Sequence, residues 1–347
     1  MKNIAIIYHQ SDFDGKLSNE VCRFHLAKLY PEAAIHSYGW DYGQPVPLPI
    51  VSQQPPDVGC PTAQGDGLLE WRFWDAIYIV DLSVDELMAR PELRDKIIWI
   101  DHHRSAIEKW DRRSEVTPGP GMFAGYRIDG VAACRLCWQW LAFDQGPHGD
   151  PRAHPSDIYT PSKQDFIDRK VMEPELIRLA GEYDIWDHRD PNAKILQFGL
   201  RACSPEELAT LVRLQFEGAI EGVMYLKLVL KNGTAIKSYM DKQNAEYATQ
   251  MSGDVFWEGL CFLAVNSSHR NSDAFLGAIK ERHDALLNWR YDPKSRLATI
   301  SLYHAPGHED IDLSKIAVKY GGGGHKGACG FRMLLRDIEA ILHGGDK

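Results

Sequence analysis

Three short apolar runs in this chain each end in side chains able to bind a metal ion or move a proton. Ile97-Ile98-Trp99-Ile100 leads directly into Asp101-His102-His103, and Ile77-Tyr78-Ile79-Val80 into Asp81. Ile4-Ala5-Ile6-Ile7-Tyr8 leads into His9-Gln10-Ser11-Asp12-Phe13-Asp14-Gly15. Runs of this kind fit buried strands of a parallel sheet, and open sheets of that type hold ligands beyond the carboxyl ends of their strands. A further group, Asp184-Ile185-Trp186-Asp187-His188, closes a helical pattern. Taken singly, each has an ordinary explanation, since an Asp after a strand often caps the next helix or closes an Asx-turn. Their coincidence at one sheet edge is what points to chemistry.

Asp12, Asp14, Asp81 and Asp184 supply four carboxylates, and His9 and His102 supply imidazole donors. Four carboxylates gathered without cations repel and cannot all ionise. Two divalent ions would bring a compensating charge of +4. Mixed carboxylate and imidazole ligands suit two Mn2+, with Mg2+, Co2+ or Fe2+ as alternatives, and the lack of clustered thiolates argues against structural zinc. Two ions ~3.5 to 4 Å apart can share a water and lower its pKa, so that a bridging hydroxide attacks phosphorus in line with the leaving oxygen. Asp81, alone at its strand end, is the best bridge.

A length of 347 residues suggests two domains. The net charge of −9 argues against coating long duplex DNA or an anionic membrane, both of which need a basic footprint. It permits a small anionic substrate where metal ions reverse the local sign. Seven scattered cysteines suit a reduced, cytoplasmic chain, and the lone Cys134-x-x-Cys137 pair reads as helix packing. Met1-Lys2-Asn3 runs straight into a strand, so no signal peptide is expected, and no apolar stretch approaches the ~20 residues of a membrane span.

Periodicity predicts helices over 16–30, 84–89 (capped by Ser83), 130–143, 174–186 and 205–216. A long, partly polar helix over 219–250 follows, with a break near Asn232-Gly233. Segments 40–71 and 112–127 read as long loops, the first as a lid or rim, and 144–162 as a connector. Beyond Gly253 the pattern predicts strands over 260–265, 285–291 and 297–303, with helices over 272–282 and 313–320. The fold class is therefore α/β. A doubly wound, mostly parallel catalytic domain over 1–217 is joined by a linker helix over 218–252 to a smaller α/β substrate domain over 253–347.

These residues resemble the DHH family of phosphoesterases, the superfamily of nanoRNase and RecJ, and the resemblance covers nearly the whole chain. His9, Asp12 and Asp14 are similar to its first motif, Asp81 to its second, Asp101-His102-His103 to its third and Asp184 to its fourth. Gly321-Gly322-Gly323-Gly324-His325 is similar to the glycine-rich signature of the DHH-associated substrate domain. Asp187 competes for the fourth motif, but Tyr183-Asp184-Ile185-Trp186 fits its Tyr-Asp-x-Trp pattern better. The resemblance implies one ion held by His9, Asp12 and Asp81, and a second by Asp14, Asp81, His102 and Asp184. It also implies that His103 faces the scissile phosphate while Asp101 orients the histidines, and that Gly322, Gly323, Gly324 and His325 bind substrate. Family members acting on short RNA or cyclic dinucleotides often carry Ser-Leu-Arg-Ser, where this chain has Ser301-Leu302-Tyr303-His304. Lys315, Lys319, Lys326, Arg332 and Arg270 are the candidate replacements for that arginine.

The reading is a manganese-dependent phosphodiesterase that cuts short single-stranded oligonucleotides or linear or cyclic dinucleotides to mononucleotides. Trp186 and Tyr303 are candidates to stack on a base or to pack in the core. A RecJ-like single-strand exonuclease, a hydrolase of another phosphoester or pyrophosphate, and a non-catalytic nucleotide-binding protein are the alternatives. The sequence leaves room for a homodimer.

Overall fold

The computed structural model describes residues 2–47, 73–111, 123–142, 161–268 and 274–342. The chain forms two compact units, Met1–Thr234 and Ala235–Lys347. Segments 48–71, 112–122 and 144–160 of the expected loops and connector, and Arg270, lie outside the described residues. Among the described residues no helix is long and apolar enough to cross a membrane.

The first unit is built on strands β1 (Asn3–His9), β2 (Ala34–Trp40), β3 (Ala76–Val80) and β4 (Ile97–Ile100), in the order β2-β1-β3-β4. All three pairings are parallel, so every strand delivers its carboxyl end to one edge. From β1 the chain steps out to β2, then crosses back to β3. Strand order therefore reverses between β1 and β3, and this opens a crevice beyond His9 and Val80. Ile4, Ile6, Tyr78, Val80, Ile98 and Ile100 face helices α1 (Phe13–Leu29) and α4 (Ala133–Ala142). The alternate residues Ala5, Ile7, Ile77, Ile79, Ile97 and Trp99 face α2 (Asp85–Met88) and α3 (Arg104–Asp111). Both faces are covered, which is why these strands read as continuous apolar runs and not as alternating ones.

The rest of this unit is helical: α5 (Lys163–Ile167), α6 (Glu175–Asp184), α7 (Pro191–Ala202), α8 (Pro205–Phe216) and the start of α9 (Ile220–Met251). The division between units falls inside α9. That helix has no break at Asn232-Gly233. A Cβ on Gly233 would lie 2.3 Å from the Ile195 carbonyl oxygen, and one on Gly199 would lie 2.4 Å from that of Val229. Both glycines let α7 and α9 pack backbone to backbone.

The second unit holds a six-stranded sheet in the order β5-β6-β7-β8-β10-β9. Its strands are β5 (Ser252–Trp257), β6 (Leu260–Asn266), β7 (Ala285–Asp292), β8 (Leu297–His304), β9 (Gly323–His325) and β10 (Ala328–Leu334). Only β6 and β7 run parallel. Helices α10 (Ser314–Lys319) and α11 (Leu335–Leu342), with Leu313 just before α10, contribute Leu313, Ala317, Ile338 and Ile341 to the core on one face.

Local expectations differ from the structure in instructive places. Helix α1 begins at Phe13 and not at 16, because Asp12 caps it by accepting the Gly15 N–H at 3.0 Å. Ser83 does not cap α2, whose N-cap is Val84; the Ser83 N–H donates to the Tyr42 hydroxyl at 3.0 Å. The helix expected over 272–282 reduces, among described residues, to a 3-10 turn at Leu276–Ala278. Strands β5, β9 and β10 and helices α7 and α11 were not expected. In β5 only Val255 and Trp257 turn inward, too short an alternation to stand out.

Candidate metal centre

His9 is the last residue of β1, and Asp12 and Asp14 stand at the cap and in the first turn of α1. A tight strand-to-helix turn joins them. A Cβ on Gly15 would sit 2.0 Å from the His9 carbonyl oxygen, so only glycine lets the helix start this close to the strand end. Asp81 follows β3 directly and takes a left-handed backbone angle, φ 62°. Asp101, His102 and His103 follow β4, and Asp184 is the last residue of α6. The crevice edge and one helix end thus gather all eight residues.

The geometry divides into two clusters that share Asp81. His9 Nδ1 lies 2.7 Å from Asp12 Oδ2 and 3.4 Å from Asp81 Oδ2. His102 Nε2 lies 3.3 Å from Asp81 Oδ1, 3.3 Å from Asp184 Oδ2 and 3.5 Å from Asp14 Oδ2. One oxygen of Asp81 therefore faces each cluster. Asp81 is 1% exposed, yet neither oxygen accepts a well-formed hydrogen bond. Donor atoms bound to one ion at ~2.0 to 2.2 Å stand ~3.0 to 3.5 Å from each other, and of the distances here only that between His9 and Asp12, at 2.7 Å, is shorter. The unsatisfied bridge and the oxygen and nitrogen donor set both fit a pair of divalent ions. The groupings His9–Asp12–Asp81 and Asp14–His102–Asp184 can each hold an ion, as can Asp81–His102–His103.

Asp14 is oriented from behind: its two oxygens accept the N–H groups of Ala133 and Cys134 at 2.8 and 2.7 Å, at the start of α4. Asp101, fully buried, accepts the backbone N–H groups of His102 and His103 at 2.7 and 3.1 Å. The same Asp101 oxygen lies 2.7 Å from His103 Nδ1, which fixes that ring with its other nitrogen free to face a ligand. Arg135, buried on α4, binds Glu173 through Nε at 3.0 Å, and Glu182 on α6 accepts from Arg169 at 2.6 Å and Arg178 at 3.0 Å. The Arg169–Glu182 pair and, just ahead of α6, the Arg135–Glu173 pair tie this helix and so Asp184 to its neighbours, while Arg178 and Glu182 both lie on α6 itself.

Electrostatics report the crowding. Burial, followed by the charge of Asp14, pushes the carboxyls of Asp81 and Asp184 well above the ordinary range. Burial opposes protonation of His9, but the carboxylates of Asp12 and Asp81 together outweigh this and push its pKa up to about 11. His102 is likewise raised against burial by Asp184 and Asp14, and His103 by its bond to Asp101.

Asp187 is engaged by Arg189, with Nη2 at 2.6 Å, while Asp184 faces His102. Cys134 and Cys137 are buried in α4, where burial raises both thiols, and belong to no metal-capable grouping among the described residues. One residue of the site escaped the sequence reading. Asp41 follows β2 directly, 3.5 Å from His9 Nε2, and is held by Ser11 Oγ at 2.8 Å and Gln10 Nε2 at 3.1 Å. It stands against the imidazole nitrogen that faces away from Asp81, the usual place for an orienting carboxylate. The signal was present: Trp40-Asp41 repeats the strand-then-Asp pattern of Val80-Asp81 and Ile100-Asp101.

In the second unit the glycine run closes α10 before it does anything else. Gly321, at φ 76°, and Gly322 donate their N–H groups to Val318 and Ala317 at 3.0 and 2.8 Å, a Schellman cap. A Cβ on Gly322 would meet the Gly330 oxygen at 2.1 Å, and one on Gly324 the Cys329 Cα at 2.6 Å. Gly323, Gly324 and His325 are exposed in β9. Of the candidate cations, Lys319 binds Glu258 at 2.6 Å and Lys315 lies 3.9 Å from Asp312, while Lys326 and Arg332 are exposed. Trp186 is 47% exposed and Tyr303 packs partly against the apolar cluster around Leu286.

No protein-family model matches the chain, and no curated protein matches its sequence. Solved structures do. An exopolyphosphatase-related protein from Bacteroides fragilis shares 13% identity over 99% of this chain and 90% of its own, with a TM-score of 0.47. A pGpG-specific phosphodiesterase, PggH from Vibrio cholerae, shares 12% over 98% and 96%, with a TM-score of 0.43. The DHH domain of a protein described as a member of a family of ribosomal proteins shares 13% over 99% of this chain and 85% of its own, with a TM-score of 0.52. With that similarity and the two-unit architecture of a parallel and a mixed sheet, the chain has the fold of the DHH-domain proteins.

Proposed function

We propose that the chain is a metal-dependent phosphodiesterase that hydrolyses short oligonucleotides or linear or cyclic dinucleotides to mononucleotides. The observation that carries this reading is Asp81, buried at the crevice, with one oxygen turned to each of two acid and imidazole clusters. His9, Asp12 and Asp81 would hold one ion, and Asp14, Asp81, His102 and Asp184 the other, with Mn2+ best suited to the donor set. When bound, such ions supply Lewis-acid charge to a phosphoryl group and activate water at neutral pH.

The protein's own residues do the rest. Asp101 holds the His103 ring so that its outer nitrogen can donate to a phosphate oxygen or to the leaving oxygen. His103 is a third exposed, which gives a substrate access to it. In the second unit Gly323, Gly324 and His325 are exposed, whereas the Gly322 N–H is committed to the helix cap.

Product analysis tests the reading. Purified protein with Mn2+ is incubated with dinucleotides, cyclic dinucleotides, longer single strands and pyrophosphate. Mononucleotides from the short substrates, with His103→Ala slower by ~100-fold or more, are the expected result. Preference for the long strands or for pyrophosphate would move the assignment to an exonuclease or a pyrophosphatase. Two bound ions without turnover of any substrate would make the chain a binding protein.

A further inference from the structure

The segments that follow β2 and β3 enclose a cleft of about 420 Å³ in the first unit. One wall is Trp40 with Gly43, Gln44, Pro45 and Val46, and the other is Val84, Asp85 and Glu86. Tyr42 ties the walls together, since its hydroxyl accepts the Ser83 N–H at 3.0 Å. Each wall is rooted at the metal centre. Asp41 stands 3.5 Å from His9 Nε2, and Val84 comes three residues after Asp81, at most ~11 Å along the chain.

Trp40, Pro45, Val46 and Val84 make much of the surface apolar, and Trp40 and Val84 belong to the core beneath. An apolar slot of ~300 to 1,000 Å³ with a few polar groups is the usual form of a small-molecule site. Most of the polar atoms at this one are already used. The Trp40 indole N–H donates to the Gln44 and Pro45 carbonyls at 3.3 and 3.1 Å, and the Gln44 side-chain oxygen accepts from Gln10 Nε2 at 3.3 Å. Asp85 accepts from Lys109 and, at 2.8 Å, from Trp110 Nε1. Two groups remain without a partner among the described residues: the Gln44 amide nitrogen on one wall and the Glu86 carboxylate on the other.

A carboxylate can accept two N–H groups side by side, and an amide nitrogen donates to a carbonyl or a ring nitrogen. Among the common nucleobases only guanine sets a ring N–H beside an amino group, with acceptors along its other edge. Adenine and cytosine place their amino group beside a bare ring nitrogen, which a carboxylate repels, and uracil places its N–H between two carbonyls. We propose that this cleft binds a guanine base, with Glu86 accepting from its N1–H and 2-amino group and Gln44 donating to its acceptor edge. That the base belongs to a substrate rests on the phosphodiesterase reading, whereas the preference for guanine rests on the cleft alone.

The test is equilibrium titration of the full chain in EDTA with guanosine, inosine and adenosine, nucleosides that carry no phosphate to engage the metal centre. Guanosine binds ~10- to 100-fold more tightly than adenosine, and inosine, which lacks the 2-amino group, falls between them. Glu86 is exposed, so Glu86→Gln folds and takes up Mn2+ as the wild type does. In that variant guanosine drops to the level of adenosine, which itself is unchanged. The inference is overturned if the wild type binds none of the three, if adenosine binds as tightly as guanosine, or if Glu86→Gln keeps the preference. Guanosine binding that depends on Glu86, in a chain that hydrolyses nothing, upholds the cleft while refuting the phosphodiesterase reading. Hydrolysis of dinucleotides without guanosine binding overturns the cleft and leaves that reading standing.

Discussion

Asp81 carries two costs at once. Its φ of 62° is a left-handed conformation that a non-glycine residue holds at ~1 to 3 kcal/mol, and its buried carboxylate meets Asp14 and Asp12 without a well-formed hydrogen bond. Strain and charge crowding in one residue are tolerated where a ligand offsets them. Asn adopts the left-handed region readily and carries no charge. Without metal, Asp81→Asn is therefore expected to be more stable than the wild type. Thermal unfolding in EDTA measures this, and a clear loss of stability in the variant would count against the crowding. The aspartates and histidines were legible in the sequence because each ends an apolar run or a helical pattern. Asp41 shares that grammar, but the Pro- and Gly-rich sequence after it drew it into an expected loop.

At the scale of elements, the turn from β1 into α1 does most to place His9, Asp12 and Asp14. Gly15 has no room for a methyl group against the His9 carbonyl, 2.0 Å from where its Cβ would be. Gly15→Ala must push α1 off the strand end, at an overpacking cost of ~1 to 3 kcal/mol. Mn2+ affinity should fall by ~10-fold or more as the three ligands separate. Unchanged melting temperature and unchanged metal affinity would show that the turn yields freely. Strands β1, β3 and β4 could be read in advance because burial on both faces leaves unbroken apolar runs. Strands β5 and β10 could not, since each has an exposed face and is interrupted by small or polar residues such as Gly253 and Gly330. Gly233 misled for a related reason: a glycine that serves close helix packing looks, without the partner helix, like a helix breaker.

For the whole molecule, the first unit's core sets a limit on acid stability. His25 is partly buried against Phe24 and Trp138, and its Nε2 has no hydrogen-bond partner. Burial, with Lys28 adding to it, lowers its pKa to about 4 from an ordinary 6.5. The unfolded chain therefore binds a proton near pH 6.5 that the folded chain refuses until about pH 4, and stability falls as pH drops through that window. Urea midpoints at pH 7, 5.5 and 4.5 should fall more steeply for the wild type than for His25→Phe, and parallel slopes would refute the assignment. The division into a parallel sheet and a second, mixed sheet was legible from the change of pattern beyond Gly253. The place of the division inside one unbroken helix was not, because a long polar helix carries no mark of where its packing partners change.

At the crevice between β1 and β3, Asp81 is proposed to join two ion sites. Titration of the metal-free chain with Mn2+, followed by calorimetry or by the loss of the free-ion paramagnetic resonance signal, tests it without reference to any substrate. Two ions per chain are expected for the wild type and, for Asp81→Asn, loss of high-affinity binding at both sites together. Binding of one ion or none by the wild type, or of two by the variant with undiminished affinity, would contradict it.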